Sequence, residues 1–310
     1  MDILLFIVGV ALVLVGADLF TDGASRLARA LKVSELVIGL TIVSLGTSAP
    51  ELFTSFVSAL KGASGLALGN VIGSNVFNTT LIVGCSAAVA VIPVLPITIK
   101  RDVPFAVLAT LALCVFCIDG TISRIDSIAL LVGFVVFMVL TIRGGKKDVA
   151  VQPVADEKLS GWRYVQFAAF IVGGLAMLIF GSNLFVDSAS SIARSLRVNE
   201  TFIGITIVAG GTSLPELATS IVAARKGQSG IAIGNVIGSN VFNILFVLGL
   251  SGLVTPISVA DISIVDYTVL VGTILLVWWL SYTKYEINRR EGWSLIAVYA
   301  VYLAYLIYRA

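Results

Sequence analysis

Apolar residues in this chain gather into blocks and show no regular alternation with polar ones. A helix needs about 20 mostly apolar residues to cross a bilayer, and ten such blocks can be drawn: 3–19, 36–60, 66–92, 103–118 and 125–142, then 162–180, 201–224, 231–254, 264–281 and 293–308. Between the fifth and sixth lies a polar stretch, 144–161, rich in Gln, Pro, Asp, Glu and Lys. The pattern predicts an all-α polytopic membrane protein with ten transmembrane helices, five on each side of one linker. Between the first two blocks, TDGASRLARALKVSE places Arg26, Arg29 and Lys32 beside Leu27, Ala28 and Leu31, which predicts a helical extension lying at the membrane surface.

The blocks are not independent. GLTIVSLGTSAPELFTSFVSALKGASGLALGNVIGSNVFN from Gly39 returns as GITIVAGGTSLPELATSIVAARKGQSGIAIGNVIGSNVFN from Gly204, at a constant offset of 165 without gaps. The register extends upstream, where GADLFTDGASRLARALKVSE matches GSNLFVDSASSIARSLRVNE. Two related halves with an odd number of spans enter the membrane from opposite sides, so the repeat is inverted. The expected organisation is a first five-helix repeat at 1–143 with its motif at 39–84, a linker at 144–161, and a second repeat at 162–310 with its motif at 204–249.

Composition agrees: 58% of residues are hydrophobic, 12% are charged, and mean hydropathy is +1.05. A soluble domain is about 25% charged. The net charge of +2 says little, but its distribution gives an orientation. Lys61, Arg124, Arg194, Arg197 and Arg309 fall on one side of the ten spans and the other fifteen Lys and Arg on the opposite side. The positive-inside rule then puts the linker in the cytoplasm and both termini outside, in a multi-pass cell-membrane protein. Arg194 and Arg197 run against that rule. The N-terminus, with Asp2 where a signal peptide carries basic residues, reads as a retained first span. Cys85, Cys114 and Cys117 sit in apolar runs and read as core residues; there is no His. No basic stretch with interleaved aromatics supports nucleic-acid binding.

The chemistry lies in the repeated motif. In GTSAPE, Pro50 has no N–H and its ring clashes with the carbonyl of Gly46, so the helix must kink or break mid-span. Such a break survives in a membrane only where protein or a bound ion satisfies the freed carbonyls. Thr47, Ser48 and Glu51 stand at the first break, and Thr212, Ser213 and Glu216 at the second. Each Glu is mid-span with no Lys, Arg or His near it in sequence. A charge there costs at least about 2.5–3.5 kcal/mol, so a proton or cation must neutralise it. GNVIGSNVFN adds Asn70, Ser74, Asn75 and Asn78, repeated as Asn235, Ser239, Asn240 and Asn243. These are all hard oxygen donors, a set that suits Ca2+ and not zinc, copper or iron. Glycine packing alone would explain GxxxG-like spacing, but a structural kink needs no Glu.

These two motifs resemble the α-1 and α-2 repeats of the cation/Ca2+ exchanger superfamily, and within it the prokaryotic sodium/calcium exchangers, over nearly the whole chain. The resemblance implies ten helices in two inverted five-helix repeats, with the first helix of each half sliding across a four-helix core. It implies an ion site at Glu51, Glu216, Thr47, Ser48, Thr212, Ser213, Ser74, Asn78, Ser239 and Asn243, with main-chain carbonyls of Ser44 and Ala209 as further Na+ ligands. It implies a secondary antiporter, not an enzyme, with Ca2+ and Na+ as substrates, three Na+ per Ca2+, no cofactor, and no partner beyond the bilayer. Some relatives have Asp where Asn243 stands, and Asn there argues against a potassium site. The short linker argues against a large regulatory domain. On the residues alone, coupling to Na+ and coupling to H+ both fit; a Ca2+ channel fits less well, since channel filters usually need rings from several subunits.

Overall fold

The computed structural model describes residues 1–145, 161–198, 203–260 and 262–309. Most of the expected linker, with Lys146, Lys147 and Lys158, and the expected start of the seventh span, lie outside these residues. Among the described residues, seven helices are long and apolar enough to cross a membrane. They are α1 (Asp2–Leu31), α4 (Ser64–Val89), α6 (Arg124–Gly145), α7 (Gly161–Ser195), α10 (Ser229–Val254), α11 (Ile264–Lys284) and α12 (Arg289–Arg309). Two bent pairs raise the count to nine: α2 (Glu35–Thr47) with α3 (Ala49–Leu60), and α8 (Thr206–Thr212) with α9 (Leu214–Arg225).

The expected fourth span is the shortfall. It forms α5 (Val103–Phe116), 14 residues preceded by a π-helical turn, Thr98–Asp102. Lys100, Arg101 and Asp102 occupy that turn, so the apolar run stops short of a full crossing. Two further expectations need correcting. The segment after the first span does not lie apart as a surface helix. It continues α1 without a break to Leu31, giving one helix of 30 residues, roughly 45 Å. The described residues also form four two-residue strands, β1 (Ile92–Pro93), β2 (Thr121–Ile122), β3 (Ile257–Ser258) and β4 (Glu286–Ile287). β1 pairs antiparallel with β4 and β2 with β3, so each bridge ties a loop before the linker to one after it.

Elements recur at the 165-residue offset, including features the hydrophobic pattern does not carry. π-helical turns occupy Gly39–Val43 and Gly204–Val208, and again Asn78–Ile82 and Phe242–Val247. Extra residues in a helical turn re-aim the side chains that follow, and such bulges frequently mark functional sites.

The larger of two apolar clusters is built mainly from α4, α5, α10 and α11, with Leu68, Ile72, Leu113, Ile237 and Val277 all buried, and the second includes Val13, Ala17, Phe20 and Leu178 of α1 and α7. These two helices cross antiparallel along a glycine seam. A Cβ at Gly16 would sit 2.8 Å from the Gly174 carbonyl oxygen, and one at Gly181 2.9 Å from that of Gly9. Lipid offers no hydrophobic drive between helices, so small residues that let backbones touch supply the attraction through close packing. The broken pairs α2–α3 and α8–α9 sit between this seam and the core.

Candidate functional site

The site is built on the two helix breaks. At Ser48 (φ −83°, ψ 11°) and Ser213 (φ −91°, ψ 8°) the helix stops and restarts. Pro50 and Pro215 then fall in the first turn of α3 and α9, where a missing N–H costs nothing. The halves bend by 48° at Ser48 and 62° at Ser213. Glu51 and Glu216 also enter the first turn of the new helices, beside free N–H groups that favour a carboxylate. Both are buried, at 0% and 1% exposure.

Ser48-Ala-Pro-Glu51 and Ser213-Leu-Pro-Glu216 carry the spacing of a capping box, in which Ser and Glu would satisfy each other's backbone. The hydroxyls instead cross over. Ser48 Oγ donates to Glu216 Oε1 at 2.7 Å, and Ser213 Oγ donates to Glu51 Oε1 at 2.8 Å while lying 3.4 Å from Ser74 Oγ. Each motif's serine serves the other motif's glutamate. In both carboxylates the second oxygen, Oε2, is buried with no hydrogen-bond partner among the described residues.

A carboxamide layer continues the crossing. Asn78 Nδ2 donates to Asn240 Oδ1 at 3.0 Å, and Asn243 Nδ2 to Asn75 Oδ1 at 3.3 Å. That leaves Oδ1 of Asn78 and of Asn243 buried and unpartnered, along with Ser239 Oγ. The free oxygens of the motifs therefore include two carboxylate and two amide acceptors, all hard donors that suit a cation such as Ca2+. Among the described residues no group of three or more His, Cys, Asp or Glu could hold a metal, so the negative charge here comes from the two glutamates.

Hydrogen bonds thus join Glu51 to Ser213, and through it to Ser74, and Glu216 to Ser48, while Asn78 and Asn243 pair across the repeat with Asn240 and Asn75. Thr47 and Thr212 are not equivalent. Thr47 is buried and donates to Asn235 Oδ1 at 3.0 Å, whereas Thr212 is half-buried with Ala209 O 3.4 Å away. Ser44 is buried, its hydroxyl bound to Thr41 O and its carbonyl accepting the Ser48 N–H at 3.1 Å, while Ala209 is exposed. The expectation that every motif asparagine supplies a free oxygen is corrected for three of them: Asn75 Oδ1 accepts from Asn243, Asn240 Oδ1 from Asn78 and Asn235 Oδ1 from Thr47. Asn70 donates to the Glu51 carbonyl and to Ser55 Oγ, and Asn235 to the Glu216 carbonyl and to Ser220 Oγ. They brace the backbone of the glutamate helices, and Asn235 Oδ1 is taken by Thr47. Ser55 and Ser220 escaped the sequence reading. Their signal was present: each lies four residues after a glutamate, on the same helix face.

The asymmetry runs through the whole site. On one side α2 lies on α10: a Cβ at Gly39 would sit 2.9 Å from Gly230 O, and one at Gly234 2.8 Å from Leu36 O. At Gly69 and Gly73, the counterparts of Gly234 and Gly238, nothing among the described residues comes closer than 4.0 Å. On the packed side Lys226 Nζ lies 2.7 Å from both Asp18 Oδ1 and Asp22 Oδ1, joining α9 to α1. Burial pulls the Lys226 pKa down, but the hydrogen bonds to Asp18 and Asp22 outweigh it and hold it above the ordinary lysine value. The equivalent residues on the opposite side, Lys61 and Asp187, are exposed.

Comparison with known proteins places this geometry. The sequence profile of the family described as sodium/calcium exchanger protein matches residues 1–143 and 166–308. The chain is 39% identical, over 97% of both chains, to CaxA of Alkalimonas amylolytica, which is named as an antiporter. It is 32% identical to the sodium/calcium exchanger MaX1 of Methanosarcina acetivorans over 99% of both. The solved structure of the sodium-calcium exchanger NCX_Mj, soaked with zero Na+ and Ca2+, superposes with a TM-score of 0.86 at 34% identity, covering 98% of each chain. With its family profile matching on both sides of the linker, this chain belongs to the sodium/calcium exchanger family of membrane transporters.

Proposed function

We propose that this protein is a secondary antiporter that exchanges Na+ for Ca2+ by alternating access, with one ion site shared between the two motifs. One observation carries the proposal: each buried glutamate is hydrogen-bonded by the serine of the opposite motif, so neither half forms the site alone. Glu51 and Glu216 supply the charge. Ser48, Ser213, Thr47, Thr212, Ser74, Ser239, Asn78 and Asn243 supply neutral oxygens, with the carbonyls of Ser44 and Ala209 as further Na+ ligands.

The packed and open sides support alternating access. The motifs have almost the same sequence, yet α2 lies against the glycines of α10 while no described residue lies within van der Waals contact of Gly73 of α4 and only Ile262 reaches Gly69, at 4.0 Å. If α8 closed on α4 while α2 released α10, the same site would face the other way at little change in energy. The Lys226 ion pairs with Asp18 and Asp22 would break in that step, and the sliding of α1 and α7 along their glycine seam would accompany it.

In this reading the chain comprises two inverted five-helix repeats, 1–143 and 162–310, with α5 as the tenth crossing. Both termini lie outside the cell, the linker is cytoplasmic, and the direction of use is Ca2+ extrusion. The test is Ca2+ uptake into proteoliposomes loaded with Na+, at equal pH on both sides. Uptake that needs the Na+ gradient is the expected result. Uptake driven equally by a pH gradient in Na+-free medium would replace Na+ by H+ as the coupling ion.

A further inference from the structure

A carboxamide has an acceptor at one end and a donor at the other, so a site that uses an Asn oxygen needs something to decide which end faces it. Asn243 is fully buried. Its Nδ2 donates to Asn75 Oδ1 at 3.3 Å, and its Oδ1 has no hydrogen-bond partner. Asn75, 1% exposed, is itself fixed: its Nδ2 donates to the main-chain carbonyl of Asn240 at 3.2 Å. A main-chain carbonyl can only accept. It therefore dictates the sequence of contacts. The nitrogen of Asn75 faces Asn240, the oxygen of Asn75 faces Asn243, the nitrogen of Asn243 faces Asn75, and the oxygen of Asn243 is left over. Turning Asn75 around would set oxygen against oxygen at Asn240 and nitrogen against nitrogen at Asn243.

We propose that Asn75 is a positioning residue that presents Asn243 Oδ1 to the transported cation. The proposal rests on the shared two-glutamate site proposed above. Asn75 is not offered as a ligand, because its own Oδ1 is occupied by Asn243. It acts from the opposite motif, so the carboxamide orientation in one half depends on the packing of the other. Asn240 makes the mirror contact, accepting from Asn78 Nδ2 at 3.0 Å. The anchor on a main-chain carbonyl, as the hydrogen bonds of the described residues give it, belongs to Asn75. The relay also sets chemistry at position 243. A carboxylate there has no donor for Asn75 Oδ1, so Asn75 favours an amide and keeps the site charge at two.

The test is a double-mutant cycle on the full chain, measuring the half-saturating Ca2+ concentration of exchange and the rise in melting temperature caused by Ca2+. Asn75→Leu keeps the size but removes both hydrogen bonds. It is expected to raise half-saturating Ca2+ about tenfold, the upper range for one neutral hydrogen bond. The ion-free melting temperature is expected to fall, since the Asn240 carbonyl and Asn243 Nδ2 lose their partner, so affinity is read at a temperature where the variant stays folded. Asn243→Leu is expected to lose at least as much affinity, and the double variant no more than Asn243→Leu alone, because one residue acts through the other. Asn75→Ala serves the same cycle if the Leu variant does not fold. Wild-type affinity in the Asn75 variant, or a double variant that loses the product of the two single effects, would overturn the relay alone. Wild-type affinity in Asn243→Leu would overturn the site assignment and the relay with it.

Discussion

Glu51→Gln and Glu216→Gln are each expected to reduce Ca2+ exchange by at least about a hundredfold while the protein still folds. Removing one member of a buried charge pair costs about 3–5 kcal/mol, and each variant removes one of the two negative charges facing the ion. Gln keeps the size of Glu, and its amide can still bond the serine that now donates to the carboxylate, Ser213 for Glu51 and Ser48 for Glu216. It also removes a charge that is buried at 0% or 1% exposure, so the ion-free melting temperature should hold or rise. Radiolabelled Ca2+ flux and thermal unfolding of the same preparations read both effects. Exchange at the wild-type rate in either variant would remove that glutamate from the site.

Exchange is also expected to move net charge. Two carboxylates balance one Ca2+. With three Na+, the number the family resemblance implies, the loaded site carries one positive charge. The two loaded forms then differ by one charge, which couples to voltage by about 2.3 kcal/mol per 100 mV. That is about a fiftyfold change in the equilibrium Ca2+ ratio. Proteoliposomes clamped with a potassium ionophore at different potentials should show Ca2+ accumulation that follows the potential. Accumulation indifferent to the clamp would require an electroneutral exchange, with two Na+ per Ca2+.

The parts of this molecule legible in its sequence are those written in residue type. Apolar blocks located the long helices, and Pro50 and Pro215 located the breaks to within two residues. Mid-span glutamates picked out the centre of the site, since a buried carboxylate has few structural uses in a membrane. What escaped is written in register and packing. The π turns at Asn78–Ile82 and Phe242–Val247 leave no mark in hydropathy, yet Asn78 and Asn243 lie in them. The crossed serines were hidden because Ser-x-x-Glu reads as a local capping box until a second copy is packed against it. Asn75, Asn235 and Asn240 looked like oxygen donors because an amide oxygen and an amide nitrogen come in the same residue, and only their partners show that the oxygen is already taken. The asymmetry of the two sides could not be read at all. Near-identical motifs have no sequence signal for which of them is closed; Thr47 and Thr212 differ only in what is packed on them.

The central claim is that Na+ and Ca2+ share one site built around Glu51 and Glu216. The repeats offer two mid-membrane carboxylates, too few for separate charged sites, and an empty doubly negative site should be reluctant to cross the low-dielectric barrier. Equilibrium Ca2+ binding to the purified protein, measured over a wide range of Na+ at constant ionic strength, tests this directly. The account predicts an apparent Ca2+ dissociation constant that climbs with Na+ without a plateau. A plateau, reporting a form that holds its full complement of both ions, would contradict it.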